Sequence, residues 1–141
     1  MIGYVFTFIG GVTVGVIADR LIDYILTKNK VKFEEALVGC FGEPVVTNSF
    51  SLKDVNEWLK QRKEKIQNEC KGFVVKATSI NLKKLGIQIE SNGSINNMLI
   101  IAIINNENNN IEESILIKYD SLDADLENIL AKGDGTLVVG G

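Results

Sequence analysis

The sequence contains no histidine, and this absence removes the commonest general base and the Ser-His-Asp and Cys-His nucleophile arrangements. It has only two cysteines, Cys40 and Cys70, which do not form the Cys-x-x-Cys spacing of a zinc site or a redox motif. Catalysis would then rest on carboxylates, lysine or an unassisted thiol. We therefore expect a non-enzymatic protein with reduced thiols and without catalytic residues, a cofactor or a metal ion.

Basic charge is scarce in the second part of the chain. Residues 1–90 carry 13 basic and 10 acidic side chains, whereas residues 91–141 carry 2 basic and 8 acidic ones. A nucleic-acid interface needs a basic surface to displace counterions, so we expect no nucleic-acid partner. The dense basic cluster at residues 60–65 alternates with glutamates in a helical pattern, which is typical of a solvated helix face.

No basic residue precedes the first apolar segment, which argues against a cleaved signal peptide. Residues 2–18 carry no charge, and as a helix they would span about 26 Å, the short limit of a bilayer span. The apolar pattern continues to Leu26, and basic residues gather around its end. Such flanks stay on the cytoplasmic side. The sequence thus predicts a single-pass cell-membrane helix over residues 2–26, with the C-terminal domain in the cytoplasm.

Small residues recur every four positions along this segment, at Gly3, Thr7, Gly11 and Gly15. In a membrane helix such a ridge lets two backbones approach closely. These four residues are the candidate site, for helix–helix association. A soluble alternative stays open, because glycine and β-branched residues make a poor isolated helix. In that alternative the segment is a buried strand, or a helix packed inside an oligomer.

A hydrophobic fraction of 45% and a single proline favour a folded body without a long linker. We expect a membrane-anchor helix over residues 1–30 and an α+β domain over residues 31–141. That domain should have a mainly antiparallel sheet of about four to five strands, packed by two or three helices. The spacing of Phe33, Leu37 and Phe41 predicts the first of these helices.

Residues 51–69 show the clearest helical pattern. Ser51 is a favoured N-cap, and Asp54 occupies the third helical position of a capping box. Apolar residues then recur along one face, which indicates a helix packed on a sheet.

Runs rich in valine and isoleucine predict strands at residues 72–82, 85–90, 97–104, 114–119 and 136–139. Asn92 and Gly93 between two of these runs predict a type I′ hairpin. The continuous apolar run 99–104 predicts a central strand covered on both faces. The asparagine-rich segment 104–113 predicts an exposed loop between two antiparallel strands.

Four acidic side chains cluster near the last predicted helix, at Asp120, Asp123, Asp125 and Glu127. Divalent cations take oxygen ligands, but the glycine and glutamate positions of an EF-hand loop are not met here. We therefore interpret the cluster as helix capping, with Asp120 or Ser121 as the cap residue.

The chain closes with residues 136–141, an apolar run that ends in two glycines. This pattern predicts an edge strand. The alternative is a tail that a partner captures by strand addition.

These features predict a single-pass membrane protein whose cytoplasmic domain binds or scaffolds a protein partner, either a second copy or another protein. Neither an enzymatic reaction nor a small-molecule substrate is indicated. The asparagine-rich composition is typical of a low-GC bacterium or its phage. Two alternatives stay open: a soluble oligomeric or structural protein whose first segment is buried between subunits, and a carboxylate-dependent enzyme.

Overall fold

The computed structural model of the chain describes residues 5–7, 10–28, 32–80 and 93–140. Its strands are β1 (Val5–Thr7), β2 (Val45–Phe50), β3 (Cys70–Lys76), β4 (Met98–Asn105), β5 (Ile111–Leu122) and β6 (Thr136–Gly140). Its helices are α1 (Gly10–Lys28), α2 (Phe33–Phe41), α3 (Leu52–Lys60), α4 (Lys63–Asn68) and α5 (Ala124–Lys132). Short 3₁₀ helices occupy Ala77–Ser79 and Gly93–Asn97.

The strands form one six-stranded sheet in the order β1-β6-β3-β4-β5-β2. Neighbouring strands are antiparallel except β2 and β5, which run parallel. The predicted α+β class is therefore confirmed. The sheet has more strands than predicted, because β1 pairs with β6 and the β-branched residues after Pro44 begin β2.

Strand β4 lies in the interior of the sheet and is buried on both faces, as the sequence predicts. Its even-numbered residues belong to one hydrophobic cluster and its odd-numbered apolar residues to a second one. Helices α1 and α2 contribute to the first cluster, and α3, α4 and α5 contribute to the second. Because successive strand residues point to opposite faces, the domain has three layers with the sheet in the middle.

Helix α1 belongs to the core of this domain. Its side chains Ile17, Leu21 and Ile25 are buried in the same cluster as α2 and the sheet, whereas Leu26 is 70% exposed. The buried side chains follow the spacing of one helix face. The domain boundary predicted at residue 30 therefore falls between two helices that share one core.

No helix in the described ranges is long and apolar enough to cross a membrane. The continuous transmembrane helix predicted over residues 2–26 is not found, because Val5–Thr7 is a strand and α1 begins at Gly10. The uncharged run is thus divided between two elements, and the charged residues that follow it lie on the exposed side of an amphipathic helix. Ile17 and Leu21 are buried within their own chain.

Helices α1 and α2 approach each other closely at Gly39. A Cβ atom at this position would overlap the ring of Tyr24 on α1, so the absence of a side chain makes room for the tyrosine. The neighbouring thiol of Cys40 donates to the backbone carbonyl of Arg20 at 3.5 Å. Burial raises the pKa of Cys40, against the opposing charge of Arg20. Cys40 is partly buried, and its thiol contacts the backbone of α1.

The capping box at the start of α3 is confirmed. Asp54 N–H donates to Ser51 Oγ, and Ser51 N–H donates to the Asp54 carboxylate at 2.9 Å. The single helix predicted over residues 51–69 is wrong, because the chain turns at Gln61 and Arg62. Arg62 has φ −116° and ψ 20°, outside the helical region, and this turn separates α3 from α4.

Helix α5 begins one turn later than its predicted cap. Strand β5 continues through Asp120 and Ser121, so the N-cap residue is Asp123. Asp125 and Glu127 lie in the first turn of the helix, where negative charge is stabilised by the helix dipole.

Strand β6 is an inner strand and not the predicted edge strand or free tail. It lies between β1 and β3, where Val139 pairs with Phe6 on one side and Gly72 on the other. Val139 is fully buried. Both sides of β6 are therefore paired with strands of the same chain.

Residues 85–90 and Asn92 lie outside the described residues, so the strand and the hairpin predicted there are not tested. Gly93 begins a 3₁₀ helix, and β3 pairs directly with β4. An exposed loop joins antiparallel β4 and β5 as predicted, but it covers residues 106–110 and not 104–113, because β4 continues to Asn105 and β5 begins at Ile111.

Candidate functional site

A β-bulge changes the direction of Glu112 in strand β5. Ile103 pairs with Glu113 and Ile104 pairs with Ile111, so Glu112 is an extra residue. Successive residues of a regular strand point to opposite faces, and a bulge re-aims one of them. Both glutamates therefore contact groups on the side of the sheet that carries α3 and α4.

Glu112 contacts the buried thiol of Cys70, the first residue of β3. Cys70 is 1% exposed, and its Sγ donates to Glu112 Oε2 at 2.7 Å. Asn105, the last residue of β4, donates from Nδ2 to the same oxygen at 3.1 Å. Three neighbouring strands thus bring a thiol, an amide and a carboxylate together.

This contact shifts the pKa values of the two groups in opposite directions. Burial, and then the hydrogen bond and charge of Glu112, raise the pKa of Cys70 to about 12. The same hydrogen bond, together with that from Asn105, lowers the pKa of Glu112. At neutral pH, Cys70 is therefore a protonated thiol beside a carboxylate. It is a poor nucleophile in this state, since the thiolate is the reactive form.

Three side chains at this position could contact one cation. Glu69, Cys70 and Glu112 each offer one ligand atom, and these atoms lie within 4.8 Å of one another. A thiolate with carboxylates suits a zinc-class ion better than magnesium or calcium. Cation binding would require the Cys70 thiol to lose its proton, which burial opposes. The predicted acidic cluster at residues 120–127 is not among the groups with this geometry in the described ranges.

The shifted pKa of Cys70 predicts a loss of stability at high pH. Its pKa in the folded chain exceeds the value of an exposed cysteine, so the folded state holds a proton that the unfolded state has lost. The contribution of this proton to the free energy of unfolding is complete below about pH 8.5. It is lost as the pH rises toward about 12. We expect a slope of up to about 1.4 kcal/mol per pH unit in the free energy of unfolding.

Urea unfolding of the wild type and of Cys70→Ala at a series of pH values from 8 to 11 measures this slope. Alanine cannot titrate, so the variant should show a shallower decline, while every other titrating group is common to both chains. Parallel declines in the two proteins would contradict the assigned pKa shift.

Glu113, next to the bulge, supports the turn between α3 and α4. Its carboxylate lies 3.2 Å from Arg62 Nε and 3.5 Å from Lys65 Nζ. The Arg62 guanidinium lies 3.7 Å from the centroid of the Trp58 ring and donates from Nη1 to the Trp58 carbonyl at 2.9 Å. The basic cluster is thus partly engaged within the domain, and not only solvated.

The predicted association ridge does not lie on one helix. Thr7 lies in β1, where it pairs with Val138 of β6, whereas Gly11 and Gly15 lie in α1. Gly3 lies outside the described residues. Of the three described positions, the structure places two on a common helix, and their part in association stays a prediction.

A polar cleft of about 320 Å³ lies beside the turn that follows α5. Its lining includes Lys76, Glu127 and the turn residues Asp134 and Gly135. The Ser79 hydroxyl donates to the Asp134 carbonyl at 2.8 Å, which holds this turn against the 3₁₀ helix after β3. The cleft combines charges of both signs and indicates no particular ligand.

Among the strand residues whose side chains the structure describes, the most exposed large apolar ones lie on β2, at the edge of the sheet. Val45 is 48% exposed and Val46 is 73% exposed. Strand β2 pairs with β5 on one side and is the last strand in the sheet order. Strand edges of this kind present unpaired backbone groups to other chains.

The hydrogen bonds of β2 show which backbone groups point outward. Asp123 N–H donates to the carbonyl of Phe50, and Val46 pairs in parallel register with Lys118. In a parallel strand both backbone groups of a residue point to the same side, and the side alternates along the chain. Residues 46, 48 and 50 thus bond to β5, while Val45, Thr47 and Ser49 present their N–H and carbonyl groups to the outside.

No family model, no curated protein and no solved structure matches the chain. Its function therefore has to be argued from its own geometry.

Two features of the candidate site were not predicted from the sequence. The Cys70–Glu112 pair joins residues 42 positions apart, and no local pattern indicates such a contact. Strand β2 had a local signal, because Val45, Val46 and Thr47 are consecutive β-branched residues after Pro44, a composition typical of strands. Only its place at the sheet edge required the structure.

Proposed function

We propose that the chain is a non-enzymatic protein-binding domain that takes up a strand of its partner along the free edge of β2. The observation that carries this proposal is the edge position of β2 together with the exposed side chains of Val45 and Val46. Backbone hydrogen bonds give affinity in such strand addition, and alternate side chains give specificity. This proposal keeps the predicted binding of a protein partner by the α+β domain and assigns it to the edge of the sheet.

The composition of β2 supports this proposal. Proteins usually protect an exposed sheet edge with charged side chains or proline within the strand. Residues 45–50 contain neither, and Pro44 comes directly before them. In the described part of the chain no strand pairs with this side of β2. The outward N–H and carbonyl groups from Val45 to Ser49 can therefore bond to a new strand, although the Ser49 carbonyl also accepts from Thr47 Oγ1 at 3.0 Å.

Site-specific photo-crosslinking in cells tests the proposal. A benzophenone amino acid at position 46 should give a discrete adduct of higher mass, whereas the same probe at Asn108, in the exposed loop after β4, should not. Thr47→Pro should abolish the adduct from position 46, because proline removes an outward N–H and leaves the bonds to β5 intact. Equal adducts from both positions, or none from position 46, would overturn the proposal.

The predicted cell-membrane location, through residues 2–26 and with the C-terminal domain in the cytoplasm, stays a separate prediction. Ile17 and Leu21 are buried inside the domain, which leaves less apolar surface on α1 for contact with lipid. Strand addition to β2 does not depend on a membrane location. Extraction of native membranes with alkaline carbonate tests the location: an anchored chain stays in the pellet, and any other chain is released.

A further inference from the structure

We propose that the strand added to β2 comes from a second copy of this chain, antiparallel and related by a two-fold axis. The inference rests on the proposed function, because it names the partner of the same edge. A two-fold axis requires a strand that is complementary to itself. Strand β2 meets this requirement in its backbone, its side chains and its flanking charges.

The outward backbone groups fit one register. If Thr47 of one copy faces Thr47 of the other, Val45 faces Ser49 and Ser49 faces Val45. All of these residues point their N–H and carbonyl groups outward, and facing residues of this type exchange two hydrogen bonds in an antiparallel ladder. The two copies would share about six backbone hydrogen bonds without disturbing any bond to β5.

The side chains fit the same register. Val46 of one copy faces Asn48 of the other, which makes the two Val46 side chains diagonal neighbours on one face of the joined sheet. Val46 is the most exposed large apolar side chain of the described residues, at 73%. Pairing of two copies would therefore cover apolar surface that the single chain leaves in water.

The charges that flank β2 favour an antiparallel pair of identical strands. The strand itself has no charged residue, and the nearest charges are Glu43 before it and Lys53 after it, both exposed. In an antiparallel pair the start of one strand lies beside the end of the other. Glu43 of each copy then approaches Lys53 of the other, whereas a parallel pair would bring like charges together.

Analytical ultracentrifugation of the purified chain over a range of concentrations tests the inference. The wild type should form a reversible dimer, and Thr47→Pro should raise its dissociation constant by about tenfold or more, through loss of the central hydrogen bonds. The matched control Thr47→Val keeps the N–H group and should dimerise like the wild type. Unchanged urea unfolding of Thr47→Pro at monomer concentrations shows that the fold is intact.

Charge exchange tests the antiparallel register itself. Glu43→Lys and Lys53→Glu should each weaken the dimer, and the two substitutions in one chain should restore it. A chain that stays monomeric at every concentration, or a dimer that Thr47→Pro leaves unchanged, would overturn the inference. If a monomeric chain still gives the crosslink from position 46, the proposed function stands with a different protein as the partner; if both measurements fail, both proposals fall.

Discussion

A chain carrying Leu21→Asp should fail to fold, whereas Leu26→Asp in the same helix should fold like the wild type. Leu21 is fully buried against α2 and the sheet, and Leu26 is 70% exposed. An aspartate at position 21 would place a carboxylate in an apolar core without a partner, which costs several kcal/mol on top of the lost leucine contacts. A domain of this size has a total stability of about 5 to 15 kcal/mol, so the change removes most or all of it.

Circular dichroism and urea unfolding of the purified chains, without detergent, measure this difference. The milder change Leu21→Ala should lower the free energy of unfolding by about 3 kcal/mol, and it keeps the comparison quantitative if the aspartate variant does not fold. The same unfolding midpoint for both aspartate variants would show that α1 is not part of the core. Leu26 is the matched control because it has the same residue type on the same helix.

The second large loss of stability is expected from a substitution at Gly135, in the turn between α5 and β6. Gly135 has φ +85°, a conformation that costs other residues about 1 to 2 kcal/mol. A Cβ atom there would also overlap the Ser79 hydroxyl oxygen. We expect Gly135→Ala to lower the free energy of unfolding by about 3 kcal/mol, from backbone strain and overpacking together.

Two further variants separate these contributions in urea unfolding experiments. Gly42 also has a positive φ, +92°, and no neighbouring atom lies within 4 Å of its Cβ position. Its ψ is 175°, so Gly42→Ala should show the backbone cost of this extended conformation without a clash. Ser79→Ala removes the hydroxyl oxygen that the new Cβ atom would overlap. In this background Gly135→Ala should therefore lower the free energy of unfolding by less than it does in the wild type. An equal cost in both backgrounds would contradict the close contact between Gly135 and Ser79.

Local patterns predicted the elements whose partners lie nearby in the chain. The capping box of Ser51 and Asp54, the two-sided burial of β4 and the exposed asparagine-rich loop all depend on a few neighbouring residues, and the structure contains each of them. The α+β class was predicted from the valine- and isoleucine-rich runs and the helical patterns of the same sequence. These features were predictable because side-chain alternation and helix capping are decided within one or two turns of chain.

The environment of the first two dozen residues could not be predicted from local patterns. An uncharged run does not specify whether lipid or the rest of the protein covers it, since both environments remove it from water. The structure divides the run between β1 and α1 and covers Ile17 and Leu21 with the sheet and α2. The β-bulge at Glu112, which creates the contact with Cys70, could not be predicted either, because the pairing register depends on both strands.

The parallel pairing of β2 has a consequence for the order in which the chain assembles. Ser121 on β5 and Asn48 on β2, which share a hydrogen bond, are 73 positions apart, whereas β4 and β5 are joined by a short loop. Closing such a long loop has an entropic cost that nearby strands avoid. During synthesis, residues 45–50 therefore emerge long before their only neighbouring strand exists. Until β5 docks, the valines of β2 have no strand partner among the described elements, and they can mispair with other segments.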